Sequence, residues 1–465
     1  MSRYLSTTAT FTRNIFISLV LCLIFCNEGY GILKLFRKAK CLLPNGPDHL
    51  SRALLLQQCF SEKYGQGNET ICYDELGCFP MDEPWVTLSR PFPSPYPPED
   101  VDTGIALYTR NVPSGQNITL WPVISLQGTD FNPRRIATIF LTHGFASSGR
   151  AEWLLEMKDA YLAKEDVNVF VVDWENGSSI CSYLQAASNT RMVGAELVRF
   201  GKHLMKQGLK PANTHLVGHS LGAHIMSYMA KGFKKPNPLS RITALDPAQP
   251  GFEGAHERVR LNRGDAKFVD VVHTDAKPFI PFIGFGMMEP VGDVDFYMNG
   301  GSSQPGCLSV DTENITSITD LAKIPVEAIS KWVSCSHGRS YEYFTWSLKL
   351  QNCSMWGRKM TPAENFLKVT TLGALNLAEP VIKALDDCDD NSCTVVGLET
   401  FKLKARGAFS VTTKSFEPYC ETSAEQSIKL KNLLGGGLYG AVTSTLTRLT
   451  SFAKGAYHSL RGFSI

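Results

Sequence analysis

The pentapeptide Gly218-His219-Ser220-Leu221-Gly222 places a serine between two glycines. A predicted strand, residues 214–217, precedes it, and a helical pattern follows. Glycines at these positions remove side chains that would clash in a tight strand-to-helix turn, and such a turn exposes the serine hydroxyl at a helix N-terminus. A chance Gly-x-Ser-x-Gly in a loop is the alternative. Because both the strand and the helix accompany the motif, it predicts that Ser220 is a nucleophile.

A serine hydroxyl needs a base to accept its proton and an acid to orient that base. With this motif the acid follows the serine, and the histidine follows the acid. Asp246 is the predicted acid because it ends the apolar strand 242–245. Asp173 also ends a strand but precedes the serine, whereas Asp270 and Asp275 flank a different strand.

His337 is the predicted base, on a loop that follows Cys335 and precedes an aromatic-rich helix. His273 is the alternative, but its neighbourhood has the pattern of a strand. His219 and His224 lie within the nucleophile turn, and we expect structural roles for them.

Acyl transfer at a serine also needs two backbone N–H donors for the developing oxyanion. Leu221, directly after the nucleophile, is one predicted donor. Phe145 is the other, since the sequence His143-Gly144-Phe145 follows an early strand. A plain turn at His143-Gly144 is the alternative.

Strands and helices alternate around these residues. This alternation predicts an α/β-hydrolase fold, with a mostly parallel central sheet, helices on both faces and functional residues at the carboxyl ends of the strands. The predicted strands are 137–142, 167–173, 215–218, 242–246 and 269–274, and the predicted helices lie near 153–163, near 193–206 and after Ser220.

The composition fits a large folded core and gives no preference for polyanions. The 465 residues are 43% hydrophobic and 19% charged. The 46 Lys and Arg residues nearly balance 44 Asp and Glu residues. We therefore expect no nucleic-acid partner.

The N-terminus has the layout of a secretory signal peptide, with Arg3 and Arg13 near an apolar run at 15–25. The run is short for a bilayer span, and a signal anchor is the alternative. We predict a signal peptide at 1–30, an N-terminal extension at 31–70 and a secreted protein. Five Asn-x-Ser/Thr sequons fit a glycosylated chain: Asn68, Asn117, Asn176, Asn314 and Asn352.

Of the 13 cysteines, Cys22 and Cys26 would leave with the signal peptide, so 11 would remain in an oxidising compartment. One of these would be unpaired or bonded to another chain. The predicted bridges are Cys72–Cys78, Cys307–Cys335 and Cys388–Cys393. The sequence does not pair Cys41, Cys59, Cys181, Cys353 or Cys420.

Three segments suggest contact with lipid. Residues 307–335 have apolar side chains at mostly three- to four-residue spacing, which predicts an amphipathic helical flap; a core helix is the alternative. Residues 278–288 combine Phe and Ile with Pro and Gly, and we expect them to be hard to bury. Residues 421–465 predict a basic amphipathic tail that can lie on a membrane, with a docked helix or a flexible tail as alternatives.

The chain resembles the animal pancreatic-type triacylglycerol lipases over about residues 72–344. The resemblance implies a triad of Ser220, Asp246 and His337, with oxyanion donors at Phe145 and Leu221. It also implies a lid at 307–335 within a lipase domain at 71–420. The matching stretches are residues 72–79, 143–145, 172–174, 218–224, 245–248, 265–275 and 284–287.

The same resemblance implies a structural calcium ion, with Glu257, the Arg260 carbonyl, Asn262 and Asp265 as ligands. Asn262 stands where the family usually has Asp, which removes one negative charge. No cofactor is expected for the chemistry itself. Only 45 residues follow Cys420, too few for the family's C-terminal β-sandwich, so we expect no docking of colipase.

The sequence thus predicts a secreted serine lipase that hydrolyses triacylglycerol through an acyl-enzyme, at an oil–water or membrane interface. The long segments 278–288 and 307–335 favour neutral glycerides over the alternative, a phospholipase A1 or general lipid esterase. A non-catalytic lipid-binding protein is a further alternative, but such relatives usually lose the nucleophile.

Overall fold

Strands rich in Val, Ile and Phe form the centre of the computed structural model. The structure describes residues 70–87, 89–180, 182–233, 239–279, 284–307, 326–349, 353–361 and 388–433, with only the backbone for 326–333. The predicted signal peptide, nearly all of the N-terminal extension, most of the predicted lid and the end of the predicted tail lie outside these ranges.

The described strands and helices alternate along much of the chain. The strands are β1 (Ile71–Tyr73), β2 (Gly77–Phe79), β3 (Gly104–Tyr108), β4 (Gln116–Ile118), β5 (Thr138–Thr142), β6 (Asn168–Asp173), β7 (Thr214–His219), β8 (Arg241–Leu245), β9 (Phe268–His273), β10 (Val294–Met298), β11 (Trp356–Lys359), β12 (Cys393–Val395) and β13 (Gly407–Val411). The helices are α1 (Pro98–Val101), α2 (Glu152–Lys164), α3 (Glu175–Ser178), α4 (Tyr183–Lys206), α5 (Leu221–Lys231), α6 (Val326–Lys349) and α7 (Ala424–Leu433).

One sheet contains all of these strands except the hairpin of β1 and β2. Its order is β12-β11-β13-β10-β9-β8-β7-β5-β6-β3-β4. The strands from β13 to β6 in this order pair in parallel, and antiparallel strands flank them at both edges. The mostly parallel sheet of the predicted α/β-hydrolase fold is therefore confirmed.

Helices cover both faces of this sheet, as the burial of β5 illustrates. Phe140 packs on one side in a core that includes side chains of α4 and α5. Ile139 and Leu141 pack on the other side with side chains of α2 and α6. Successive strand residues point to opposite faces, so a strand buried throughout must be covered on both.

Three neighbouring strands end at the same edge of the sheet. Thr142 of β5 pairs with Gly218 of β7, and His219 of β7 pairs with Leu245 of β8. The residues that follow these strands therefore begin loops at adjacent positions, and they include Ser220 and Asp246.

His337 reaches this edge from a helix. The sequence predicted that His337 lies on a loop between Cys335 and an aromatic-rich helix. That prediction is wrong, because Cys335 and His337 both lie within α6. Helix α6 packs Tyr343, Phe344 and Leu348 into the core under the sheet. That packing, which local sequence does not reveal, carries the helix past the residues predicted as a loop.

Four disulfide bonds lie within the described residues. They include the three predicted pairs, Cys72–Cys78, Cys307–Cys335 and Cys388–Cys393. The fourth joins Cys353 to Cys420, two cysteines that the sequence could not pair. Among the predicted glycosylation sites, Asn117 and Asn176 are exposed, whereas Asn68, Asn314 and Asn352 lie outside the described ranges.

The first part of the predicted C-terminal tail packs against β11 and β12, the two outermost strands on one side of the sheet. Leu430 of α7 is buried in a small cluster with Trp356 of β11 and Val395 of β12. Residues 434–465, which carry most of the predicted amphipathic pattern, are not described. Across the described part of the chain, no helix combines the length and the apolar character that a bilayer span needs.

A buried ion pair joins two central strands below the site. Arg241 of β8 donates from Nε and Nη2 to the two carboxylate oxygens of Asp270 on β9, at 2.7 Å each. Thr243 donates to the same carboxylate at 2.9 Å. The two charged side chains are 5% and 1% exposed, so each depends on the other for compensation of its charge.

Arg241→Met should lower the free energy of unfolding by about 3–5 kcal/mol, because it leaves the Asp270 carboxylate buried without its cation. Urea unfolding measures this loss. The matched control is Arg134→Met, at an exposed arginine, which should change stability little. The double variant Arg241→Met/Asp270→Leu should recover part of the loss, and a single variant as stable as the control would contradict the prediction.

Candidate active site

Ser220 lies in a sharp turn between β7 and α5. Its φ of 57° and ψ of −121° fall in a region that side-chain-bearing residues rarely adopt. Its N–H donates to the carbonyl of Leu245 at 3.0 Å, which ties the turn to the end of β8. This is the backbone geometry that the Gly-x-Ser-x-Gly motif predicts.

The two flanking glycines are required by close contacts within the turn. A Cβ at Gly218 would lie 2.3 Å from the carbonyl oxygen of Gly222. A Cβ at Gly222 would lie 2.7 Å from the carbonyl oxygen of His143. Any larger residue at either position would force the turn apart.

The predicted oxyanion segment passes directly beside Ser220. A Cβ at Gly144 would lie 2.7 Å from the serine Cβ and 3.2 Å from its Oγ. Phe145 follows, with its ring edge-on to Tyr183 at 5.5 Å. Leu221 begins α5, where the first N–H groups of a helix have no acceptor within that helix. The structure thus brings both predicted donor segments to the serine.

His143 anchors this segment to Trp174, a residue that sequence reasoning did not assign to the site. The buried His143 ring stacks on the indole at 5.5 Å. Its Nε2 accepts from the Trp174 N–H at 3.1 Å, and the indole Nε1 donates to the His143 carbonyl at 2.9 Å. The Val172-Asp173-Trp174 match was the only sequence signal for this role.

Asp246 and His337 form a short hydrogen bond. His337 donates from Nδ1 to Asp246 Oδ2 at 2.6 Å. The other carboxylate oxygen accepts from the N–H groups of Thr274 and Asp275 at 2.8 and 3.1 Å. Asp246 is fully buried, so these three donors compensate its charge and fix its orientation.

The backbone carbonyl of His337 is also held by three side chains. Ser340 donates to it at 2.9 Å, His219 Nε2 at 3.3 Å and Thr274 at 3.5 Å. Burial, together with the nearby His337, lowers the pKa of His219 well below its usual value. His219 therefore stays neutral and acts here as a hydrogen-bond donor to the His337 carbonyl.

His273, the alternative base, belongs to another cluster. Its Nδ1 donates to the carbonyl of Met287 at 2.8 Å, and its Nε2 lies 3.0 Å from Asp295. Both ring nitrogens are thus engaged away from Ser220, and the ring is completely buried. The structure gives His273 a packing role.

Asp275 is a second buried carboxylate beside the pair. Atoms of Asp246, Asp275 and His337 lie within 4.8 Å of one another. Asp275 Oδ2 accepts from the Phe285 N–H at 2.9 Å, and Lys277 Nζ lies 2.9 Å from Oδ1. Burial raises the pKa of the Asp275 carboxyl, and Lys277 opposes this shift. Its position after β9 was the sequence signal, but nothing local indicated the approach to His337.

The aromatic segment 278–288 is partly internal. Phe279 and Phe285 are each 6% exposed, so the prediction that the segment is hard to bury is wrong for these two rings. Residues 280–283 lie outside the described residues. The Phe285 ring lies 5.8 Å from both the Phe279 ring and the His337 ring. These aromatic side chains form an apolar wall beside the histidine.

A family model described as Lipase matches residues 69–408, nearly three quarters of the chain. The chain belongs to the lipase family. It is 43% identical over 287 residues to pancreatic lipase-related protein 2 of Rattus norvegicus, which covers 61% of this chain and 59% of that protein. It is 42% identical over 282 residues to pancreatic triacylglycerol lipase of Homo sapiens, covering 60% and 59%.

The chain therefore matches about three fifths of the length of these lipases. Among solved structures, esterase PE8 aligns with 23% identity and a TM-score of 0.25, over 32% of this chain and 74% of that one. The fold assignment rests on the strand order and on the lipase family match.

Two of the four predicted calcium positions of this lipase-family chain, at Arg260 and Asp265, meet around a lysine. Lys231 Nζ lies within hydrogen-bonding distance of the Arg260 carbonyl and the Asp265 carboxylate. Glu257 instead accepts from the Asn262 side-chain amide at 3.2 Å. A positively charged ammonium group that occupies these oxygen atoms does not fit a site for a divalent cation.

Gly286→Ala should disrupt the pair of Asp246 and His337. A Cβ at this position would lie 2.3 Å from Asp246 Oδ1, so the carboxylate must move. We expect loss of the far-downfield Nδ1 proton resonance of His337 in NMR spectra. Labelling of Ser220 by a fluorophosphonate should slow by roughly 100-fold.

Gly104→Ala is the matched control, because its Cβ would meet Asp173 only at an ordinary 3.7 Å. This variant should keep both the proton resonance and the labelling rate. A Gly286→Ala protein that keeps them as well would show that the contact does not position Asp246.

Proposed function

We propose that this chain is a secreted serine lipase that hydrolyses the ester bonds of triacylglycerol. The observation that carries the proposal is the 2.6 Å hydrogen bond from His337 to the buried Asp246, at the same sheet edge as the strained turn of Ser220. Nucleophile, base and orienting acid are the three parts that serine ester hydrolysis requires.

The hydrogen bond to Asp246 sets the direction of proton transfer. Because Nδ1 of His337 carries the donated proton, Nε2 of the neutral ring is the free base that accepts the Ser220 proton. Ser220 Oγ then attacks the ester carbonyl. The imidazolium, stabilised by Asp246, returns the proton to the departing glycerol oxygen. Water, activated by the same ring, releases the fatty acid from the acyl-enzyme.

The N–H groups of Phe145 and Leu221 are the proposed donors to the oxyanion. The contact of Gly144 with Ser220 supports the first, and the start of α5 directly after Ser220 supports the second. Their segments are anchored by Trp174 and by the helix, so the donors need little reorganisation as charge develops. This chemistry calls for no cofactor.

Neutral glycerides are the proposed substrate class. The similarity to a triacylglycerol lipase supports this choice. The Phe279 and Phe285 rings, which are buried beside His337, are the apolar side chains that we expect an acyl chain to contact once they are uncovered. We assign residues 307–335, bounded by the Cys307–Cys335 bond, as a lid and an oil–water or membrane interface as the place of action.

Secretion is the proposed location, and the described disulfide bonds support it because such bonds persist in oxidising compartments. We retain the division into a signal peptide at 1–30, an extension at 31–70, a lipase domain at 71–420 and a tail at 421–465. The packing of Leu430 against Trp356 attaches the start of that tail to the lipase domain.

Ser220→Ala should reduce fatty acid release from emulsified long-chain triacylglycerol by roughly 10⁴-fold or more, because the variant lacks the attacking oxygen. Titration of released fatty acid measures the rate, with phosphatidylcholine vesicles as the parallel substrate. Ser89→Ala, at an exposed serine, is the matched control and should retain the wild-type rate.

The relative rates decide between the functions. Serine-dependent release mainly from phosphatidylcholine would replace the triacylglycerol proposal with a phospholipase. Binding of either lipid without serine-dependent release would favour a non-catalytic lipid-binding protein.

A further inference from the structure

The loop that carries the predicted calcium ligands surrounds the ammonium group of Lys231. Its Nζ lies 2.8 Å from the Arg260 carbonyl oxygen and 2.6 Å from each carboxylate oxygen of Asp265. It also donates to Ser227 Oγ at 2.7 Å. A lysine ammonium has three protons, and the carbonyl, the carboxylate and the hydroxyl can accept all of them.

We propose that Lys231 is a built-in cation that holds this loop in place of a metal ion. The fold of the chain then requires no calcium. This role concerns the fold of the loop and holds whether or not Ser220 is a nucleophile.

The ammonium group occupies the space that a calcium ion would need. Calcium–oxygen distances of about 2.3–2.6 Å are close to the 2.6 Å between Lys231 Nζ and the Asp265 oxygens. A metal ion and the ammonium would therefore compete for the same oxygens, and two cations this close repel each other strongly. Asp265 is 4% exposed, so water screens this repulsion little.

The remaining predicted ligands are poorly suited to bind calcium in place of the lysine ammonium. Asn262 brings no negative charge, and its side-chain nitrogen donates to Glu257 Oε2 at 3.2 Å. Calcium needs six to eight oxygens, with carboxylates supplying most of the charge. Only Glu257 and Asp265 among the four predicted positions are acidic.

The surroundings of the loop are also positively charged. A cavity of about 830 Å³ borders it, lined by two acidic residues, Glu257 and Asp265, and by five basic ones. Such a lining disfavours the approach of a divalent cation. The basic residues are Arg191, Lys202, Lys231, Arg258 and Arg263.

The lysine completes a set of contacts between α5 and the segment after Asp246. Near the start of α5, His224 donates to the carbonyl of Ala248 at 2.9 Å and accepts from the Leu261 N–H at 3.2 Å. Tyr228 donates to the carbonyl of Val259 at 2.6 Å. Lys231, the last residue of α5, adds the charged contact. Removing its ammonium would take from the buried Asp265 carboxylate the positive charge that lies 2.6 Å from both of its oxygens.

Thermal unfolding of the full chain tests this proposal. The wild-type melting temperature should be the same in EGTA and in millimolar CaCl₂, and calorimetric titration with CaCl₂ should detect no stoichiometric binding. Lys231→Met, which keeps the volume but removes the charge, should lower the melting temperature by roughly 5 °C or more. Lys202→Met, at an exposed lysine lining the same cavity, is the matched control and should cause little change.

A double variant tests the exchange of cations directly. Lys231→Ala/Asn262→Asp clears the ammonium and restores a carboxylate, so CaCl₂ should raise its melting temperature although it does not raise that of the wild type. Stoichiometric calcium binding by the wild type, or a fall of its melting temperature in EGTA, would overturn the proposal. So would a Lys231→Met protein as stable as the Lys202→Met control. If Lys231→Met does not fold, the wild-type arms still decide.

Discussion

The tight packing of backbone around Ser220 is the constraint on which the rest of the site depends. The turn has positive φ at a residue with a side chain, and three glycines allow neighbouring backbone to approach it. Gly218 and Gly222 close the turn itself, and Gly144 brings the adjacent loop against the serine. A parallel sheet with helices on both faces supplies the rigidity that keeps a strained turn in place.

This constraint explains how the site gathers residues from distant parts of the chain. The parallel register of β5, β7 and β8 ends three strands at one edge. The hydrogen bond from Ser220 to Leu245 then fixes the turn against the strand that leads to Asp246. The position of the first residue after each strand is therefore fixed by the sheet and not by the loop that follows. The site is thus precise where it is attached to the sheet.

Much of this could be predicted from the sequence because the relevant signals are local. Each of these signals depends only on residues that are close together in the sequence. They are the glycine spacing around Ser220, an acid at the end of an apolar strand, and closely spaced cysteines such as Cys72 and Cys78. The alternation of strand and helix patterns likewise predicted the sheet, since every element carries its own periodicity.

The features that escaped prediction all depend on contacts between distant segments. His337 lies on a helix because α6 packs under the sheet, and the bond between Cys353 and Cys420 joins residues 67 apart. Phe285 is buried by its position against the histidine. Lys231 enters the predicted calcium loop only because α5 ends beside it, so a ligand pattern read from one segment missed a cation supplied by another.

The short distance along α6 between Cys335 and His337 has a mechanical consequence. The disulfide bond joins Cys307 to the chain at Cys335, two residues before the histidine. A force on this disulfide would therefore act on the backbone next to the ring that bonds to Asp246. The side chains of Ser340, His219 and Thr274 all hold the His337 carbonyl, beyond the disulfide. These three contacts hold the His337 backbone independently of the disulfide, so strain at Cys335 need not reach the hydrogen bond between His337 and Asp246.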